Sequence, residues 1–382
     1  MSAFIVDAIR TPRGKARPEG GLASLKPQDL VKTLIDAIEA RGHPARQAEG
    51  LYLGSVGQVG AQGGHIALVS KLWSGLDDAA SAITLNNYCV SSLTAVGQAA
   101  AQISSGQARN LLAGGVEMMS RVPFMADRAD YYSDLSFEPR ARYIPVAVAA
   151  DRLAGDLDIS REALDAVALT SQQRAAAAEG TALNASRIPV NGLDHDEAIR
   201  PKCSTQGLAA LPPAFEPMAE PYRVALEDQV IDWRHTLSHA PPMMDGAAMA
   251  LISSSPEGAR ARIVALVEIG GDPYACLTAG FDAMDKVLAK AGLTLDDMDR
   301  IEFMEAFAVT IARFLRDYPV DHDRVNVGGG HLAKGHPMGA SGVILLSSLL
   351  DALDACQGRY GLVVASGAQG IGSAMVVERL AP

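Results

Sequence analysis

The sequence predicts an α/β protein built from two similar halves with a long excursion between them. Three observations carry this. Up to residue 120, short apolar runs alternate with amphipathic stretches, the grammar of a layered α/β fold. From 121 to about 240 that grammar stops, and it resumes at 261. The resumed part repeats the first: strand, turn, amphipathic helix and strand occur once around Cys89 and once around His336. A period this long is a duplication rather than a solenoid repeat. At 382 residues the chain exceeds one simple core, and 48% apolar content suffices for it to fold throughout.

In the first half a strand is expected at 3–8, followed by the turn Arg10-Thr11-Pro12-Arg13-Gly14. A helix follows at 27–41, where Leu30, Leu34, Ile35 and Ile38 form one stripe. A strand at 50–56, a helix at 64–74 and a strand at 82–86 come next. Then an extended run turns into a helix: Val90, Leu93, Val96, Ala100 and Ile103 recur at helical spacing. Cys89 therefore lies at or near a helix N-terminus, where free N–H groups and the dipole favour a thiolate. Taken alone, Cys89 reads equally as a small core residue, because free cysteine is among the most buried types. A strand at 108–114 closes the half.

The excursion holds a helix over 160–178, opened by Ser160 as N-cap with Glu162 in its first turn. Phe124, Tyr131, Tyr132, Phe137 and Tyr143 cluster before it, and Pro and Gly interrupt the chain from 189 to 221. Excursions of this size are commonly functional covers. The second half reads as strand 263–269, helix 281–291, strand 300–304 and helix 306–318. Strand 324–328, helix 339–355 and strands 362–366 and 374–378 complete it. If the halves are related by a pseudo-twofold, the two equivalent helix starts face each other and bring Cys89 and His336 together.

The totals exclude several classes. A net charge of −11, a pI near 5.2 and no basic block argue against nucleic acid as a partner. Cys89, Cys203, Cys276 and Cys356 lack CxxC or Cys/His spacing, so neither zinc nor a disulfide framework is expected. That usage fits a reducing compartment, and a cytoplasmic location is expected. The N-terminus reads as a strand rather than a signal peptide. No uninterrupted run of about 18 apolar residues predicts a membrane span.

Five strings in order resemble the thiolase family. They are Asn87-x-Cys89-x-Ser91 with its helix, Gly114-Gly115-Val116-Glu117-Met118-Met119, Met304-Glu305-Ala306-Phe307-Ala308, Gly335-His336-Pro337-x-Gly339-Ala340-Ser341-Gly342, and Gly367-Ala368-Gln369-Gly370. The resemblance runs from the first strand to the last. It implies a five-layer αβαβα fold of two duplicated halves plus an inserted loop domain. The N-terminal half would take 1–121 and 239–262, the loop domain over the coenzyme A and acyl site 122–238, and the C-terminal half 263–382. It implies thiolytic cleavage of a 3-ketoacyl-CoA by coenzyme A, or the reverse condensation, with coenzyme A as substrate and no resident cofactor. A homodimer or homotetramer is implied too. Carried over, Cys89 becomes acylated and His336 takes its proton. The N–H groups of Cys89 and of the turn at about Ser366 form the oxyanion hole. Phe307, Met304, Ala240 and Pro241 border the coenzyme A and substrate site.

The match breaks at identifiable places. Met304 replaces the family's asparagine, which holds a water; a thioether cannot do so in the same way. Val364 stands where a second cysteine usually moves the Cα proton, and valine transfers none. Pro241 replaces a serine that contacts pantetheine. Two additional histidines, His239 and His331, border the site; either supplies the missing acid/base or is structural. The residues therefore admit a divergent thiolase. They also admit a thiolase-like acyl transferase, hydrolase or C–C lyase with impaired Claisen chemistry, or a coenzyme A-binding scaffold. The bulky residues of 124–143 fit a ring-containing or branched acyl group and equally a dimer contact.

Overall fold

In the computed structural model, which describes residues 2–380, the first half runs through β1 (Phe4–Arg10), β2 (Gly14–Lys15), α1 (Pro27–Ala40), β3 (Gly50–Gly54), α2 (Ile66–Ser74), β4 (Ser81–Leu85), α3 (Ser91–Ser104) and β5 (Asn110–Met118). The excursion contains α4 (Val146–Asp156), α5 (Arg161–Ala178), α6 (Thr205–Ala209) and α7 (Glu216–Ala219). The chain then returns through β6 (Met244–Ser253). The second half is β7 (Ala261–Gly270), α8 (Ala279–Ala291), β8 (Arg300–Phe303), α9 (Ala308–Asp317), α10 (His331–Lys334), α11 (Ser341–Cys356), β9 (Tyr360–Gly367) and β10 (Ile371–Arg379).

The strands lie in the order β4-β3-β5-β6-β1-β7-β10-β9-β8, with β2 beside β6. The duplication is visible in this order. In the first half β3 pairs β5 in parallel, β5 pairs β6 antiparallel and β6 pairs β1 antiparallel. In the second, β8, β9, β10 and β7 repeat those three relations. The halves meet where Phe4 and Ile5 of β1 pair Arg262 and Ala261 of β7. The counterpart of β4, expected as a strand at 324–328, is a single parallel bridge between Ile301 and Val325. The reason is local. Asn326 has φ 46° and its amide bonds the backbone of Phe303 at 2.8 and 2.9 Å, after which three glycines end the ladder.

Helices sandwich and separate the sheet halves, giving the five αβαβα layers. The stripe of α1 buries Leu30, Leu34 and Ile38 with Leu51, Leu53 and Leu112 on the first outer face. On the far side α8 packs on β7, β9 and β10. Between them α11 packs on α3, β1, β6, β8 and β9. The segment Met338–Cys356 is long and apolar enough to span a membrane by composition, but 78% of it is buried inside the protein. Each fully buried Leu or Ile in α11 contributes roughly 1.5–3 kcal/mol, so this helix holds the two halves together. The contact between α3 and α11 is close enough to require glycine: a Cβ on Gly342 would lie 2.6 Å from the Leu93 backbone nitrogen. Beside it, the Val343 N–H donates to Ser92 Oγ at 3.0 Å. The two helix starts do face each other, as the pseudo-twofold requires.

The excursion is pinned by buried polar ties. Arg10 donates to both oxygens of Asp196 at 2.8 and 3.0 Å, with both side chains buried. Ser171 of α5 donates to Glu305 at 2.7 Å. Breaking a buried pair by removing one partner typically costs about 3–5 kcal/mol, so the cover is firmly seated.

Candidate active site

Cys89 sits at the apex of a sharp strand-to-helix turn. β4 ends at Leu85, Tyr88 adopts φ 47°, and α3 begins at Ser91. Three local bonds hold the turn. The Asn87 N–H donates to Ser91 Oγ at 2.8 Å, Ser91 Oγ donates to the Tyr88 carbonyl at 2.6 Å, and Asn87 Nδ2 donates to Thr94 Oγ1 at 2.9 Å. Ser91 suits this spacing because its hydroxyl partners two otherwise free backbone groups, and Asn87 ties the turn to the first turns of α3 through Thr94. A non-glycine residue held at positive φ next to a nucleophile is strain of the kind that functional turns store.

The sulfur faces a cavity of about 40 Å³ lined by Tyr88, Phe124, Met125, Tyr132, Tyr143 and Met338 among others. Burial pushes the Cys89 thiol up to about 12, with Cys276 and Glu117 adding to the rise. Two backbone N–H groups, of Cys89 itself and of Ala368, oppose it. A thiol this weak is protonated at neutral pH, so attack requires removal of its proton.

His336 approaches on the equivalent turn of the second half. Its N–H donates to the Pro242 carbonyl at 2.9 Å, and Met338, two residues on, lines the Cys89 cavity. Its Nδ1 lies 2.7 Å from Ser341 Oγ. Burial and the nearby Arg13 pull it down to about 3, so the imidazole is neutral at physiological pH. Glu117 ties the assembly together. Its two oxygens accept from the N–H groups of Val56, Gly57 and Gly339 at 2.9–3.0 Å and from Gln62 Nε2 at 2.6 Å. It joins the cavity wall at 56–57 to the turn carrying Met338.

The other expected residues fall as follows. Ser366 is buried on β9, and its hydroxyl accepts the Gly280 N–H at 3.2 Å rather than facing Cys89. The amide that bears on Cys89 belongs to Ala368, two residues further along the turn. Met304 is fully buried, with its N–H on the carbonyl of Val364 at 2.8 Å; Val364 is equally buried. Phe307 caps α9, and its ring packs edge-on against Phe215 and His235. Ala240 and Pro241 directly precede the Pro242 carbonyl that holds the His336 N–H.

His239 has both nitrogens engaged. Nδ1 accepts the Thr236 N–H at 3.1 Å, and Nε2 therefore donates to Asp165 at 2.7 Å. A ring tied at both ends braces the 235–240 segment. His331 is fully buried with neither nitrogen bonded, and its ring stands edge-on to His336 at 5.1 Å between centroids. Sequence reasoning missed Glu117 as a tie, the Ala368 amide, and Cys276, which acts on Cys89. Cys276 gave no signal because the loop around it carries no motif.

The duplicated α/β fold, with a cysteine on a strained strand–helix turn of one half and a neutral histidine on the equivalent turn of the other, is that of an acyl-transferring enzyme. The comparisons agree. The thiolase N-terminal domain matches residues 3–219 and the thiolase C-terminal domain residues 258–379. The chain is 34% identical to the beta-ketoadipyl-CoA thiolase of Acinetobacter baylyi, covering 99% of both. It is equally 34% identical to a 3-ketoacyl-CoA thiolase of Vibrio cholerae, again covering 99% of both. The human mitochondrial 3-ketoacyl-CoA thiolase superposes with a TM-score of 0.86 at 28% identity, covering 100% of this chain and 99% of that one. A structure of that human enzyme in complex with CoA gives the same TM-score. The chain belongs to the thiolase family and is an acyltransferase enzyme.

Proposed function

We propose that this thiolase cleaves a 3-ketoacyl-CoA with coenzyme A, or runs the reverse, through an acyl group carried on Cys89. The observation that carries the proposal is Cys89 on its strained turn at an apolar cavity that Ala368 also lines, where the N–H groups of Cys89 and Ala368 are the donors offered to an oxyanion. In the cleavage direction the Cys89 sulfur attacks the 3-keto carbon. The developing oxyanion lies beside the same two amides, which cost no reorganisation at the moment of reaction. His336 accepts the thiol proton through Nε2, with Nδ1–H donating to Ser341 Oγ as the assigned tautomer. Since the resting thiol and imidazole are both neutral, proton transfer accompanies attack instead of preceding it. The acyl group then passes to coenzyme A.

The cavity chemistry narrows the acyl group. Among its lining residues Asp127 is the one charged side chain, and its carboxylate accepts the Tyr132 hydroxyl at 2.9 and 3.1 Å. Among the described residues, no cation lines the cavity to meet a terminal carboxylate. The lining matches an uncharged acyl group in chemistry, since aromatic walls reward apolar area and ring contact, and a branched or ring-containing chain requires the 124–143 segment to open beyond the about 40 Å³ present. We place a homo-oligomer contact on the edge strand β4 and α2, where Ile83, Leu68, Leu72 and Trp73 are exposed. The test of function follows loss of 3-ketoacyl-CoA enolate absorbance on adding coenzyme A. Turnover in the parent and none in Cys89→Ala is expected; equal rates in both would overturn the reading.

A further inference from the structure

Thiolysis needs a proton delivered to the departing carbon, and Val364 cannot supply one. Cys276 lies in the loop between β7 and α8, fully buried, at φ 52°. This loop is locked to the 367–370 turn. The Gly370 N–H donates to the Cys276 carbonyl at 3.0 Å, and the Gly271 N–H donates to the Gly370 carbonyl at 2.6 Å. Ala368 of that same turn lines the Cys89 cavity, so the Cys276 loop packs against the turn that walls the Cys89 site. Both polar atoms of the Gln369 side chain are buried without a partner beside them. Of the two histidines that could supply the proton instead, His239 is tied at both nitrogens and His331 stands edge-on to His336, the base already assigned to Cys89.

Resting on the acyl-Cys89 reading, we propose that Cys276 is the acid/base that exchanges the C2 proton, entering from a different loop than the position filled by Val364. The steps balance. Cys89 passes its proton to His336 and its sulfur bonds C3; the C2–C3 bond breaks, and its electron pair takes the proton of the Cys276 thiol. Acetyl-CoA, acyl-Cys89, the Cys276 thiolate and protonated His336 result. Coenzyme A gives its thiol proton to Cys276 and its sulfur attacks the acyl carbon. The Cys89 sulfur leaves and recovers its proton from His336. The Cys276 thiol is pushed up to about 11 by burial, which keeps it charged with a proton until the carbanion forms.

The test uses the full chain with Cys276→Ser and Cys276→Ala. Serine is nearly isosteric and keeps the backbone carbonyl that accepts the Gly370 N–H, so the fold is kept. Two readouts separate the claims: the end point of Cys89 acylation by an acyl-CoA, by intact mass, and exchange of the acetyl-CoA methyl hydrogens in D₂O. Expected is full acylation with exchange and thiolysis reduced about 10²–10⁴-fold, the usual range for a lost general acid/base. Exchange within threefold of the parent in both variants would overturn the role of Cys276. Absence of acylation in the parent would instead overturn the Cys89 reading itself.

Discussion

Glu117 is the most informative single residue to change, because one carboxylate holds two walls of the site. Glu117→Gln keeps the size of the side chain and replaces one oxygen by NH₂. Each oxygen accepts two donors: Oε1 takes the Gly57 N–H and Gln62 Nε2, Oε2 the Val56 and Gly339 N–H groups. Whichever oxygen becomes NH₂, two buried donors then face a third donor. An unsatisfied buried donor costs about 1–3 kcal/mol, so the expected destabilisation is about 2–6 kcal/mol. Near the melting temperature a chain of this size gains roughly 0.8 kcal/mol/K of unfolding entropy, so Tm should fall by about 3–7 °C. Activity should fall more than stability does, because the freed groups belong to the cavity wall and to the turn of Met338. The assays are a thermal scan and the thiolysis rate at 25 °C. A Tm within 1 °C of the parent with an unchanged rate would refute the assignment of Glu117 as the tie.

Other outcomes follow from the same structure. His336 and His239 are pulled down to about 3 and about 4, both chiefly by burial, and His331 well below its usual range. Their folded values lie below the unfolded 6.5, so the unfolded chain binds more protons between those limits. The histidines' contribution to stability is therefore complete above pH 7 and is lost as pH drops from 6.5 toward 4; a urea midpoint that falls over that range as steeply in His336→Gln as in the parent would contradict this for His336. Asp127→Lys should improve kcat/KM for a 3-ketoacyl-CoA with a terminal carboxylate relative to an uncharged one by about tenfold, a shift near 1.4 kcal/mol. An unchanged ratio would remove Asp127 from the acyl site. Leu72→Arg with Trp73→Arg should dissociate the oligomer in sedimentation velocity; an unchanged mass would place the contact elsewhere.

Much of the architecture was legible because it rests on local signals. The stripe of α1, the N-cap Ser160 and the start of α3 beside Cys89 were all readable from spacing. β6 was not, although it is central: all ten residues from Met244 to Ser253 are buried, so the period-two alternation that marks a strand is absent. The strand at 324–328 failed because Asn326 diverts its backbone partners. In the candidate site, the turns of Cys89 and His336 were legible since each makes strict residue demands. Cys276 was invisible because its role depends on which loop packs against the 367–370 turn, a tertiary fact with no local period. Around Ser366 the local path was equally hard to read, because the bend at Gln369, φ 57°, sets how the 367–370 turn meets the Cys89 cavity that Ala368 lines.

The central claim is that Cys89 carries the acyl group. Intact-mass spectrometry after mixing the full chain with an uncharged medium-chain acyl-CoA tests it directly. One acyl adduct per chain, mapped to the peptide containing Cys89 and discharged by free coenzyme A, is the expected result. An unmodified chain, or an adduct that persists in Cys89→Ala, would contradict it.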